Sequence, residues 1–159
     1  LGFRVPVPSD SLGFEKVRLW AYTQQLFSAL DTLELCQFCF GPGLLYGVSD
    51  LVELVNAATG WSTTLWELMQ VGERRINLMR MFNTREGFTS DDDGLPDRIF
   101  ERLQGGHTEG NRIDRGEFEE ARRQYYEMMG WCPRTGIPTE LKLKELALEW
   151  TLEAKEDEK

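Results

Sequence analysis

TLWELMQVGERRINLMRMF, residues 64–82, decides the fold class. Thr64 and Glu67 stand at the T-x-x-E spacing in which two side chains satisfy the free N–H groups at a helix start. Leu65, Leu68, Met69, Gly72, Ile76 and Met79 then recur three and four residues apart. That period belongs to an amphipathic helix, here expected to run to about Phe82. Gly72, inside the apolar stripe, is less favourable than Ala by about 1 kcal/mol in a helix. Its presence predicts a second helix close by.

The same period extends outward in both directions. Toward the N-terminus, Leu19, Tyr22, Leu26 and Leu30 predict a helix from about Phe14 to Asp31, after an extended opening segment, Leu1 to Gly13. Ser49 can cap a short helix carrying Leu51, Leu54, Val55 and Ala58, with Gly60 as its stop. Toward the C-terminus, residues 87–94 read as polar loop, and Pro96 suits the first turn of a short helix reaching Leu103. The glycines of Gln104 to Asn111 predict a loop. Asp114 and Glu117 open a helix with Phe118, Ala121, Tyr125 and Met128 inward and Gly130 past its end. Pro133 to Pro138 connects to a last helix, capped by Thr139 and striped by Leu143, Leu146, Ala147 and Trp150. No alternation of strand type competes, so the expected fold class is all-α, a multi-helix domain. Residues 1–48 comprise the opening segment, first helix and following loop, and residues 49–159 the helical remainder, the two forming one structural unit.

Composition bounds the function. The chain of 159 residues is 41% apolar and 28% charged, as in globular proteins. Lys and Arg total 18 against 27 Asp and Glu, a net charge of −9. Such a surface repels phosphate backbones, so no nucleic-acid partner is expected. Part of the excess lies in the tail Glu149 to Lys159, expected to be solvated. No apolar run is long enough to span a bilayer, and no signal-peptide pattern precedes Pro8. A membrane association is not expected. The opening at Leu1 fits a processed or excised piece. Three cysteines, two of them close together, do not make a disulfide framework, and a reducing, cytoplasmic setting follows.

Asp31 to Val48 breaks the helical period, with Cys36, Cys39, Gly41, Pro42, Gly43 and Gly47 interleaved among Leu35, Phe38, Phe40, Leu44 and Leu45. A loop this apolar is expected to be covered by something else. Cys36-Gln37-Phe38-Cys39 alone is a weak signal. A structural zinc site needs four ligands, and only Cys132 and His107 remain as further soft donors. Two buried thiols are the plainer reading of the pair. The acidic loops fail as EF-hands. With Gly94 sixth, Thr89 stands first and Phe100 twelfth, where carboxylates are required. His107, among glycines, has no nucleophile near it in sequence.

The loop nevertheless carries a resemblance. Asp31-Thr32-Leu33-Glu34-Leu35-Cys36 resembles the D-x-x-G-L-C motif of the tungsten-containing aldehyde ferredoxin oxidoreductases, and follows a helix containing Gln24 as the family's does. Asn56-Ala57-Ala58-Thr59-Gly60 is similar to N-A-x-T-G. Gly72-Glu73-Arg74 through Phe82-Asn83-Thr84-Arg85-Glu86-Gly87 resembles the family's G-E-R…F-N-x-R-E-G run. Leu95-Pro96-Asp97-Arg98 follows. Then come Tyr125-Tyr126, Gly130-Trp131, Gly136-Ile137-Pro138-Thr139 and the helix Leu143 to Leu148, all in the family's order. The resemblance spans about Gln24 to Glu149.

That resemblance implies the C-terminal part of an enzyme oxidising aldehydes to carboxylic acids, with ferredoxin as electron acceptor. The implied cofactors are a tungsten (or molybdenum) bis-pterin and one 4Fe–4S cluster, both held largely by upstream domains of the same enzyme. Three cluster thiolates and the substrate-facing acids and histidine would lie upstream. Cys36 would be the fourth cluster ligand. Asp31 would hydrogen-bond the pterin, with Leu35 and Gln37 as further loop contacts; no catalytic residue is expected in this chain. Cys39 is outside the motif and is expected to be a buried thiol near the cluster. Homo-oligomers are compatible with this plan. The chain by itself should be inactive and, with its apolar loop uncovered, should self-associate. One departure is Glu34 at the motif's glycine, which is strained if that position needs a positive φ. The competing reading is a stand-alone helical interaction module, free of cofactor, whose cysteines are inert.

Overall fold

A computed structural model describes residues 6–41 and 45–153. The expectations for residues 1–5, for Pro42, Gly43 and Leu44, and for the tail beyond 153 lie outside the described residues. The described residues form seven α-helices in order: α1 Phe14–Thr32, α2 Gln37–Phe40, α3 Val48–Thr59, α4 Leu65–Arg85, α5 Arg115–Met128, α6 Glu140–Glu145 and α7 Trp150–Glu153. Two 3₁₀ turns, Ser90–Asp92 and Asp97–Ile99, lie between α4 and α5. Among the described residues there is no strand, only an isolated bridge between Trp131 and Pro138. The all-α expectation holds. None of the described helices is long and apolar enough to cross a membrane.

α4 is the spine. Its N-terminus is capped reciprocally: Glu67 N–H donates to the Thr64 hydroxyl, and Thr64 N–H donates to the Glu67 carboxylate at 2.7 Å. It runs one turn past Phe82, to Arg85. Three apolar clusters are strung along it. Leu68 joins Leu26, Leu30, Leu51 and Val55. Ile76 joins Ala21, Tyr126, Met129 and Trp131. Met81 joins Leu143, Leu146 and Leu148. Leu68 meets Leu30 and Ile76 meets Ala21, so α1 and α4 are antiparallel. Between them lies the close approach that Gly72 predicted: a Cβ there would fall 1.9 Å from the Gln25 carbonyl oxygen. Accordingly α1 buries small residues, Ala21, Ser28 and Ala29, beside Leu26 and Leu30, whereas Leu19 and Tyr22 stay half-exposed. On α4, Leu65 and Met79 do not face inward but toward solvent.

Other expectations are corrected. Ser49 is inside α3; the N-cap is Gly47, whose N–H donates to Asp50 at 2.7 Å. The helix expected from Pro96 to Leu103 shrinks to the Asp97–Ile99 turn, because Leu103 spends both backbone groups across the loop on Asn111 and Gly110. On α5 the buried residue is Tyr126, followed by Met129 just past the helix end, each one position beyond Tyr125 and Met128, which are partly buried. The last helix breaks at Ala147, where φ is 52°. Leu148 N–H returns to the Leu143 carbonyl at 2.7 Å, and Ala147 N–H to Lys144, closing a Schellman turn. Arg74 Nη1 donates to the Leu146 and Ala147 carbonyls, satisfying acceptors that a continuing helix would have used. The buried residue is then Leu148, and Trp150 is exposed.

Candidate functional site

α1 ends in the same motif. Leu35 N–H donates to the Leu30 carbonyl at 2.9 Å and Glu34 N–H to Asp31 at 3.2 Å. Glu34 takes φ 56°, so this position does require the left-handed region, and a side chain there is strained. Leu35 and Leu30 meet in one apolar cluster, the hydrophobic contact that completes such a turn. The turn reverses the chain and delivers Cys36 one residue later.

The stretch expected to be pure loop contains one helical turn, α2. Cys36 is its N-cap, and Cys39 and Phe40 N–H groups return to the Cys36 carbonyl at 3.0 and 3.1 Å. The Cys36 thiol is exposed. N–H groups of Phe38 and Cys39, in that order, and the Cys39 thiol hold it below the ordinary thiol range. Donating that hydrogen bond pushes the half-exposed Cys39 thiol up. The pair therefore has unequal members: the outward-facing Cys36 thiol is the one held low, and the Cys39 thiol beside it is the one pushed up. Leu35 and Phe40 anchor the loop in the apolar cluster, and Phe40 stacks on Tyr46 with ring centroids 5.1 Å apart. Phe38 at 84% and Leu45 at 79% exposure point away from this chain.

Asp31, on the last turn of α1, is also exposed. Gln37 Nε2 donates to its Oδ1 at 2.6 Å, and Arg75 Nη1 to its Oδ2 at 3.1 Å. Arg75 comes from α4, and its side chain leans toward the N-terminal end of that helix, as helical side chains do. It thereby reaches Asp31 and, at 3.4 Å, Ser28. Asp31 and Arg75 form one edge of a cavity of about 760 Å3, whose apolar walls include Trp20, Phe27 and Tyr125. Deeper in the cavity Arg80 grips Asp93 through both guanidinium tips, at 2.8 and 2.6 Å, and Tyr126 donates to the same carboxylate. Burial pushes the Asp93 carboxyl up, but the Arg80 and Tyr126 bonds outweigh it and leave it low.

The structure thus brings together Asp31 and Gln37, and sets Leu35 and Cys36 beside them on the turn that joins them. Cys132 stands apart, in the turn before Pro133. Sequence reasoning missed Arg75 and the Cys39 thiol's bond to Cys36. For Arg75 the signal was the helix contact at Gly72: it fixes which end of α1 an arginine one turn further along α4 can reach.

Residues 3–148 match the family described as aldehyde ferredoxin oxidoreductase, domains 2 and 3. The tungsten-containing aldehyde ferredoxin oxidoreductase of Pyrococcus horikoshii is 33% identical over 152 residues, which is 94% of this chain and 24% of that protein. The aliphatic sulfonate oxidoreductase, WOR-like subunit, of Pyrococcus furiosus is 32% identical over 135 residues, 80% of this chain and 21% of its own length. The chain therefore spans about a quarter of the curated relatives it matches. Among solved structures, the active-site complex BamBC of benzoyl coenzyme A reductase with 1,5-dienoyl-CoA superposes with a TM-score of 0.71. That match has 22% identity and covers 94% of this chain and 22% of the other, a likeness of fold.

Proposed function

Because the chain belongs to the aldehyde ferredoxin oxidoreductase family, we propose that it is the C-terminal helical part of a tungsten-pterin, iron–sulfur oxidoreductase. In this reading the whole enzyme oxidises aldehydes to carboxylic acids and passes the electrons to ferredoxin. Its remaining domains correspond to the three quarters of the relatives' length that this chain does not span. A cytoplasmic enzyme, able to form homo-oligomers, fits the same reading.

The donor set fits such a division of labour. Among the described residues no three His, Cys, Asp or Glu side chains converge on a metal position. It offers one exposed thiol already biased toward the thiolate that iron–sulfur clusters bind. Cys36 would supply one cluster ligand, with the other three from the rest of the enzyme. Asp31 would accept two neighbouring N–H groups of the pterin. Each of its oxygens already accepts one bond, from Gln37 and Arg75, and a carboxylate oxygen has a second lone pair free for this. Tungsten, or molybdenum, on the pterin would supply the two-electron chemistry, and the cluster a one-electron exit. Phe38 and Leu45 would exclude water where the domains meet. Leu35 holds the loop on its own core, and Gln37 ties the thiol-bearing turn to Asp31.

The observation that carries this reading is the exposed Cys36 thiol on the turn after α1, in a stretch that also turns Phe38 and Leu45 outward. In the full enzyme, Cys36→Ala should abolish the cluster's electron paramagnetic resonance signal and lower bound iron. An unchanged signal with full iron content overturns it.

A further inference from the structure

We propose that Arg75 is a positioning residue for the pterin, acting through Asp31 without touching the cofactor itself. This rests on the reading of Asp31 given above.

A lone aspartate on the last turn of a helix can rotate its carboxylate, and a bidentate acceptor works only when its plane is fixed. Here the plane is fixed from two sides. Gln37 holds Oδ1 at 2.6 Å from the thiol-bearing turn, and Arg75 holds Oδ2 at 3.1 Å from α4. Arg75 is steadied in turn by the Ser28 hydroxyl at 3.4 Å, on the same face of α1 one turn earlier. Two elements, α2 and α4, therefore converge on a side chain of a third, α1. The two remaining acceptor positions are left as the carboxylate's open edge, on the rim of the large cavity.

Exposure separates this role from a structural one. The Arg75 and Asp31 side chains remain 38% and 40% exposed. Ion pairs so open to water add little to folding. The clamp's effect should then show in cofactor retention far more than in melting temperature.

The test uses the purified holoenzyme with Arg75→Met, Arg75→Lys and Asp31→Ala. Pterin per protein is read from the fluorescence of the oxidised pterin released on denaturation, and the cluster by electron paramagnetic resonance. Arg75→Met should retain at least threefold less pterin, keep the cluster signal, and melt within about 4 °C of wild type. Arg75→Lys, which keeps the charge but not the fork, should fall between. Wild-type pterin content in Arg75→Met, with Asp31→Ala depleted, overturns the role of Arg75 and leaves that of Asp31. Full pterin content in Asp31→Ala removes both. Pterin loss in Arg75→Met that comes with a large fall in melting temperature makes Arg75 structural and also overturns the proposal.

Discussion

Replacing Gly72 with alanine pushes a methyl group into the backbone of α1. The new Cβ would sit 1.9 Å from the Gln25 carbonyl oxygen, 2.8 Å from its carbon and 3.0 Å from the Ala29 nitrogen. Ordinary contact begins near 3.4 Å, so the helices must part by roughly 1.5 Å, and no flexible side chain can yield instead. In an unconstrained helix the change would be favourable by about 1 kcal/mol. Against that stands overpacking at about 1–3 kcal/mol. Parting α1 from α4 also loosens the clusters on either side, around Leu26, Leu30 and Leu68 and around Ala21 and Ile76. If about 100 Å2 of apolar surface reopens there, another ~2.5 kcal/mol is lost. The net is a loss of about 3 kcal/mol, or roughly 6–12 °C in melting temperature for a chain of this size. Urea unfolding followed by circular dichroism measures it. Ala58→Gly, at an exposed position of α3, calibrates intrinsic propensity in the same protein and should lose about 1 kcal/mol. Should Gly72→Ala unfold at higher urea than wild type, the close approach of the helices is wrong.

Two further outcomes follow from strain and charge. Glu34→Gly relieves a left-handed residue, worth about 1–2 kcal/mol, less the added freedom of glycine in the unfolded chain; a gain of about 1 kcal/mol in urea unfolding is expected, and a loss would remove the strain argument. Asp93→Asn should cost about 2–3 kcal/mol at pH 7, since it strands the buried Arg80 guanidinium. The Asp93 carboxyl is held below its ordinary value in the folded state, so its contribution is full above the unfolded value of about 3.9 and is lost as pH falls through the lower folded one. The gap between wild type and variant should close as pH drops below about 4, and a gap that persists unchanged would refute the ionic account.

What the sequence made legible is what is encoded within one turn of itself. Thr64 and Glu67 cap α4, Asp114 caps α5 by accepting from Gly116 and Glu117, and Gly130 takes a positive φ past the end of α5. Gly72 announced a tertiary contact because only a tight approach justifies a glycine in an apolar stripe. The misses have partners far along the chain. Nothing local breaks the last helix at Ala147; Arg74, some seventy residues earlier, captures the carbonyls there. The inward residue of α5 is Tyr126, whose partners lie beyond that helix: Trp131 packs on both tyrosines and bonds Asn77 at 2.8 Å, and Asp93 accepts from the Tyr126 hydroxyl. At the candidate site, Asp31, Leu35, Cys36 and Gln37 were named from resemblance alone. The loop composition marked the region as unusual, but α2, the activation of Cys36 and the Arg75 bond need the chain reversal at Glu34 and the antiparallel helix pair.

Because α4 passes through all three apolar clusters, whereas the turn bearing Cys36 leans on only one of them, the molecule should open in stages. Amide protons near the middle of α4 would exchange with solvent only when everything unravels together. Those of residues 36–40 would exchange through small excursions that leave the bundle standing. The thiol is thereby mounted on a more yielding part of the body than α4, where it can adjust by fractions of an ångström to whatever grips it.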